Sequence, residues 1–337
     1  MIEIVHESLT RRRLLCNGVA LGAAALLGCG GDEDGDGAAG GPADDAFPVT
    51  IDGAFGPTRI ARRPERVVAA GFLRDGDDAL ALGITPIAMA TLDSFPAGFS
   101  PWTLAALGSA KPVRLAATER MPFERIAAAR PDLILATDVR ALEQHYDKLA
   151  GIAPTLAYTK GAEADPWQQR ARRIGRALGR SPQAAELIAR IERRIGAVRG
   201  AHPEFAGRTF TIGPVMGGTI YTVTRTSDAA AAFLGDLGLE LSPRVVGLRG
   251  SVAGRAEVSP ERISLLDADV MMLTYGSPGD RRTVESSPLF ERLGAVRRGA
   301  YVPLDLTVAL ASGYPGLLAI PYALERIVAP LAKALAA

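Results

Sequence analysis

The sequence predicts an α/β protein of two Rossmann-like lobes with parallel-rich sheets, bridged by a single long helix. Three observations predict it. Short apolar runs alternate with helix-period segments in both halves of the chain, as in parallel sheets joined by crossover helices. A long helix-period segment without turn signals separates the halves. One pattern also occurs twice, as FERIAAARPDLIL from Phe123 and PERISLLDADVMM from Pro260. In each copy Glu-Arg-Ile is followed by an acidic residue eight positions after the glutamate: Glu124 leads to Asp132, and Glu261 to Asp269.

A chain of 337 residues is too long for one small core and suits two lobes. With 48% hydrophobic and 22% charged residues it is globular. A formal net charge of +1 creates no global field toward nucleic acid or an anionic membrane, and no nucleic-acid partner is expected. Both cysteines, Cys16 and Cys29, lie near the start, and the body carries only His145 and His202. A disulfide in the body is therefore excluded, and a metal site of Cys or several His is not expected.

Residues 1–28 read as an export signal. Arg11 to Arg13 precede an apolar run, Leu14 to Leu27, that is too short to span a bilayer. The Thr-Arg-Arg-x-Leu-Leu order resembles a twin-arginine signal. LLGC, ending at Cys29, resembles the lipobox of bacterial lipoproteins, which implies that Cys29 becomes the lipidated first residue. Residues 29–46 are Gly-rich and acidic, a flexible tether. The lipid on Cys29 would be the one membrane contact, holding the protein at the outer face of the cytoplasmic membrane.

The first lobe is expected over residues 47–165. RVVAAGF is a buried strand, and DGDDALALGITP a helix with an acidic first turn closed by Gly83. PIAMA is the next strand, followed by a loop through Phe95, Pro101 and Trp102. Then come helix FERIAAA, strand DLILAT, helix ALEQHYDKLAGI and strand TLAY. Residues 166–200 form the bridge. Asp165 with Pro166, and Ser181 with Pro182, are helix-start signals. From Pro182 to Val198, Ala185, Ile188, Ile191 and Ile195 recur at helical spacing. The second lobe, 201–337, repeats the alternation: strands RTFTIG and TIYTV, helix SDAAAAFLGDLGLELSP, the second repeat copy and strand GAYVPLD. A C-terminal helix, bent or interrupted at Pro321 and Pro330, completes it. The crevice between the lobes is the expected ligand site.

The ordered set PERVVAAGF…DALALGITPI, FERIAAARPDLIL, YDKLAGIAPTLAY, LGDLGL, SPERISLLDADVMML and SPLFERLGAVRRGAYVPLD resembles the periplasmic binding proteins for ferric siderophores and vitamin B12, over about Pro64 to Leu335. The resemblance implies the class III fold with its helical backbone. It also implies a monomer and no enzymatic activity, with an ABC permease dimer and its ATPase as partners and a small ferric chelate as cargo. No cofactor is resident. It assigns Glu124 and Glu261 to docking on the two-fold permease, one anchor per lobe. A ferric siderophore supplies its own oxygen donors, so the protein needs cations and aromatic walls rather than metal ligands. Arg74 and Arg225, each following a strand, and Trp102, Tyr221, Tyr275 and Tyr314, in or beside strand-end loops, are the candidates. YVPLDLTVALASGYPG holds no Arg or Lys where some family members carry a basic cluster, which favours a hydroxamate siderophore over a trianionic catecholate. Cobalamin or haem as ligand stays open. So does an exported carboxylate-dependent hydrolase, although G-x-S-x-G, H-E-x-x-H and Walker patterns are absent.

Overall fold

The computed structural model describes residues 45–116, 120–250 and 255–336. The expected leader and Cys29 lie outside the described residues. A hairpin of β1 (Val49–Ile51) and β2 (Thr58–Ile60) opens the body. Then β3 (Val67–Ala69), β4 (Ala88–Thr91), β5 (Val113–Ala116), β6 (Leu133–Ala136) and β7 (Thr155–Ala157) form a parallel sheet in the order β5-β4-β3-β6-β7. A parallel sheet buried on both faces needs near-continuous apolar strands, and β3 and β6 are buried at every position. Alternate side chains serve different cores: Val67, Leu133 and Leu135 face one, Val68 and Ile134 the other.

The linking helices are α1 (Arg74–Ala81), α2 (Pro101–Leu107), α3 (Phe123–Ala128) and α4 (Tyr146–Ala150). Gly83 closes α1 with φ +78°, a conformation that disfavours any side chain. Where the sequence suggested only a loop, the structure has α2 and β5. Ser100 caps α2 by accepting from the Thr103 N–H at 3.2 Å, and Pro101 starts it, so the signal was present. The single helix expected from Ala141 is split into a 3-10 turn, Leu142–Gln144, and α4.

α5 (Trp167–Ala177) and α6 (Ser181–Ala201) follow. α6 is the long bridge, and it buries Ala184, Ile188, Ile191 and Ile195. Ala184 stands four residues before Ile188, so it takes the inward place expected of Ala185, which is exposed. Asp165 does not cap α5. Its carboxylate turns back to accept from the N–H groups of Thr159 and Lys160 at 2.6 and 2.8 Å. The Ser181 N–H of α6 is taken instead by Asp45.

The second lobe runs β8 (Thr209–Met216), β9 (Thr219–Val223), α7 (Ala229–Asp236), β10 (Glu240–Leu241) and β11 (Arg255–Val258). A 3-10 turn, Pro260–Leu266, carries the second repeat copy. β12 (Val270–Tyr275), α8 (Pro278–Glu285), α9 (Pro288–Glu291), α10 (Gly294–Arg297), β13 (Tyr301–Leu304), α11 (Leu306–Gly313) and α12 (Ala319–Leu335) follow. The sheet order is β11-β9-β8-β12-β13, with β10 also on β8; β9 pairs antiparallel with both β8 and β11, and the other pairs are parallel. α12 is a single helix rather than an interrupted one. Pro321 sits in its first turn, where the missing N–H has no intrahelical partner to lose, and Pro330 is accommodated inside.

The repeated acidic residue has a structural duty in both lobes. Asp132, before β6, accepts from the N–H groups of Glu65 and Arg66 at 2.9 and 2.8 Å, just before the neighbouring strand β3. Asp269, before β12, accepts from the N–H and hydroxyl of Thr209, each at 2.7 Å, at the start of the neighbouring strand β8. Each carboxylate clips the entries of two adjacent parallel strands.

One apolar core runs from Leu133 and Leu156 through α5 and α6 to Phe210 and Met272, and so through both lobes. Across it lies a buried ion pair. Arg170 of α5 meets Asp78 of α1 at 3.0 Å and donates to the Pro315 carbonyl at 2.7 Å; Asp78 also accepts from the Leu317 N–H at 2.9 Å. Removing one partner of such a pair strands a buried charge. Arg170→Ala is expected to cost about 3–5 kcal/mol in urea unfolding, while Arg190→Ala, which breaks the exposed pair with Glu186, changes the midpoint little.

Candidate functional site

In the order β5-β4-β3-β6-β7 the connections leave β3 and β6 in opposite directions, which opens a crevice at their C-terminal ends. Arg74 and Asp138 close its floor. Asp138 accepts from the Leu73 and Arg74 N–H groups at 2.9 and 2.8 Å and from Arg74 Nε at 2.9 Å. Arg74 Nη2 also donates to Asp138 and to the Ala162 carbonyl. Burial would raise the Asp138 carboxyl, but the Arg74 charge and these donors outweigh it and hold it below the ordinary carboxylate range.

The acidic first turn of α1 is buried. Asp75 accepts from the Thr137 hydroxyl, and Asp77 accepts from the Trp102 indole and from the Thr103 hydroxyl at 2.6 Å. Burial pushes both carboxyls up to about 7; nearby Asp138 adds to the rise in Asp75, and the hydroxyl of Thr137 opposes it.

Two adjoining cavities lie over this floor and share Phe72 and Arg140. One, of about 560 Å³, belongs to the first lobe, with Thr91, Arg120, Asp138, Gln144 and His145 in its walls. The other, of about 340 Å³, opens onto the second lobe, where Tyr221, Arg255, Thr274 and Tyr314 join an aliphatic wall. Gly213 lies in that wall, because a Cβ there would fall 1.8 Å from the Tyr221 carbonyl oxygen and prevent β8 and β9 from approaching.

A stack of rings and cations joins the lobes. Arg140 lies 5.0 Å from the Phe72 ring centre and 5.7 Å from that of Tyr314, whose other neighbour is Arg74 at 5.4 Å. Arg140 also donates to the Tyr314 hydroxyl and pairs with Glu163 at 3.2 Å. Burial raises the Tyr314 phenol above its ordinary value, so it stays a neutral donor. Arg255 Nε and Thr274 Oγ1 are buried in the lining with no hydrogen-bond partner among the described residues.

Of the residues singled out from the sequence, Tyr221 and Tyr314 line the cavity. Arg74 is fully buried and committed to Asp138, a partner remote in sequence, rather than to the adjacent Asp75 or Asp77. Trp102 is not in the cleft: it is 6% exposed, bonded to Asp77 and packed on Tyr322 and Phe95. Arg225 is exposed outside the lining. Tyr275 turns away to the Tyr301 hydroxyl at 2.7 Å, and burial pushes its phenol up to about 12. Glu124 and Glu261 are exposed over buried Ile126, Ile263 and Leu266. Phe72, Arg120, Arg140 and Arg255 were missed. Arg140 follows strand DLILAT as Arg74 follows RVVAAGF, so the same rule would have found it; Arg255 stands on β11, which gave no strand signal.

A family model described as periplasmic binding protein matches residues 78–305. The crystal structure of a periplasmic solute binding protein from Mycobacterium smegmatis superposes with a TM-score of 0.75 at 32% identity, covering 85% of this chain and 98% of that one. PiaA of Streptococcus pneumoniae, in complex with ferrichrome, gives 0.73 at 27% identity over 85% and 98%. The ferric enterobactin-binding periplasmic protein FepB of Escherichia coli is 27% identical over 185 residues, which span 52% of this chain and 57% of that protein.

The raised carboxyls fix a sign for pH. With a folded value of about 7 against an ordinary 3.8, Asp75 holds its proton more tightly when folded. Its contribution is full below about pH 4 and is lost as pH rises toward 7. Asp75→Asn keeps an acceptor for Thr137 and removes this loss, so its melting temperature should gain on the parent protein between pH 5 and pH 8. A constant difference across that range would contradict the assignment.

Proposed function

We propose that this chain, which belongs to the periplasmic binding protein family, is the substrate-binding component of an ABC importer and captures a ferric siderophore between its lobes. The observation that carries this is the cleft itself. Its cavities adjoin across Phe72 and Arg140, and guanidinium groups of Arg120, Arg140 and Arg255 stand in their walls. Oxygens that share their charge with iron take charge-assisted donors of this kind. Among the described residues the one carboxylate in the walls, Asp138, is committed to Arg74.

The hydroxamate class fits the charge balance. Arg74 is matched by Asp138 and Arg140 by Glu163, and Asp228 feels the charge of Arg255. A cleft whose cations are largely answered suits a complex of low net charge better than a trianion, and the PiaA complex with ferrichrome supports the same class. Arg140→Ala and Arg255→Ala should each weaken a ferric hydroxamate about ten- to a hundredfold in isothermal titration, with Arg225→Ala as an unaffected control. Iron-free ligand should bind more weakly, since its oxygens are not preorganised. Binding of cobalamin or haem, with no ferric chelate bound, would overturn the ligand class.

Delivery needs anchors on both lobes. We assign these to Glu124 and Glu261, and attachment at the membrane to a lipid on Cys29. Both glutamates are exposed, and neither lines the cavities. The double variant Glu124→Arg/Glu261→Arg should bind ligand as before and lose most uptake in cells; normal uptake would refute the docking role.

A further inference from the structure

The two cavities differ in chemistry. The first-lobe cavity is walled by Thr91, Arg120, Gln144 and His145 with Arg140 at the junction. Beyond Arg140, Arg255, Thr274, Tyr221 and Tyr314 give way to an aliphatic wall, formed by the ends of β8, β9 and β13 and by α11, whose sequence LTVALASG presents no charge. Met216 and Leu306 continue that surface outward, 55% and 38% exposed. A hydrophilic chelate laid along this aliphatic part would lose water without gaining partners.

We propose that the ligand is an amphiphilic ferric chelate: its iron-binding head lies against the guanidinium groups of Arg140 and Arg255, and an alkyl or acyl arm lies along Ile212, Val223, Leu304, Leu306, Ala309 and Leu310. This rests on the siderophore reading and deepens it, because it names a part of the ligand that does not touch iron. An arm there is removed from water on both sides, by the sheet ends and by α11. It also covers Met216 and Leu306, which otherwise face solvent. Affinity then comes from two separable sources: charge-assisted bonds to the head and apolar area for the arm.

The test uses N-acyl derivatives of ferrioxamine B with acetyl, butanoyl, hexanoyl and octanoyl groups. Their iron sphere and charge are the same and only the arm grows. In isothermal titration the dissociation constant should fall with each methylene, by up to about fourfold, until the cavity is full. Ala309→Phe, which fills the cavity from α11, should flatten this dependence. Leu306→Asn, at the exposed rim where folding is not at risk, should reduce it, and Arg225→Ala should leave the slope as it is. Equal affinity for all four derivatives in the parent protein would overturn the arm while the siderophore reading stands. Failure of even the acetyl derivative and of unmodified ferrioxamine B to bind would overturn the reading and the arm together.

Discussion

The Arg170–Asp78 pair is the constraint on which the arrangement depends. Both groups are removed from water, at a cost that only mutual attraction and complete hydrogen bonding offset. Their partners lie far apart in sequence: α1 in the first lobe, α5 in the bridge and the Pro315–Leu317 turn before α12. Satisfying one carboxylate and one guanidinium therefore fixes three segments at once. The common apolar core supplies most of the cohesion, but it is non-directional. The buried pair specifies which turn of α1 meets which turn of α5, and so how the first lobe sits on the bridge.

The same economy operates inside each lobe. Asp132 and Asp269 each clip two parallel strands at their entry, where ladder bonds have not begun. Asp138 does the corresponding work at the exit, where it binds the backbone of Leu73 and Arg74 and leaves the ends of β3 and β6 a set distance apart. That separation is the floor of the crevice. An arginine directly after a strand, which in the sequence looks like ligand chemistry, is consumed in building the floor of the crevice.

With Arg74 consumed, the electrostatics of the cleft fall to Arg120, Arg140 and Arg255, held by different elements. Arg140 belongs to both cavities and touches Phe72, Glu163 and Tyr314, so a ligand group drawn to it also meets residues of the second lobe. The neutral Tyr314 phenol adds a donor without adding charge. Phe72, Arg140 and Tyr314 thus join the lobes through groups in contact, beside an α6 that spans 21 residues without a break.

Hydrophobic periodicity and turn chemistry, which are local, determined the α/β class, the alternation in both halves, the long bridge and the closure of α1 at Gly83. They also exposed the repeat, because a duplicated arrangement leaves the same letters at the same spacing. Tyr221 and Tyr314 were legible as strand-end aromatics; Trp102 and Tyr275 satisfied the same rule and went elsewhere, since a ring beside a cleft and a ring beneath it have the same neighbours in the chain. Only the tertiary structure decided which arginines are spent. Arg74 pairs with Asp138 because parallel pairing of β3 and β6 brings their ends together, and Asp75, Asp77 and Asp78 are buried because α1 packs on α2 and α5. A charge's partner is set by distance through space, and a folded chain chooses that distance after its local elements are already in place.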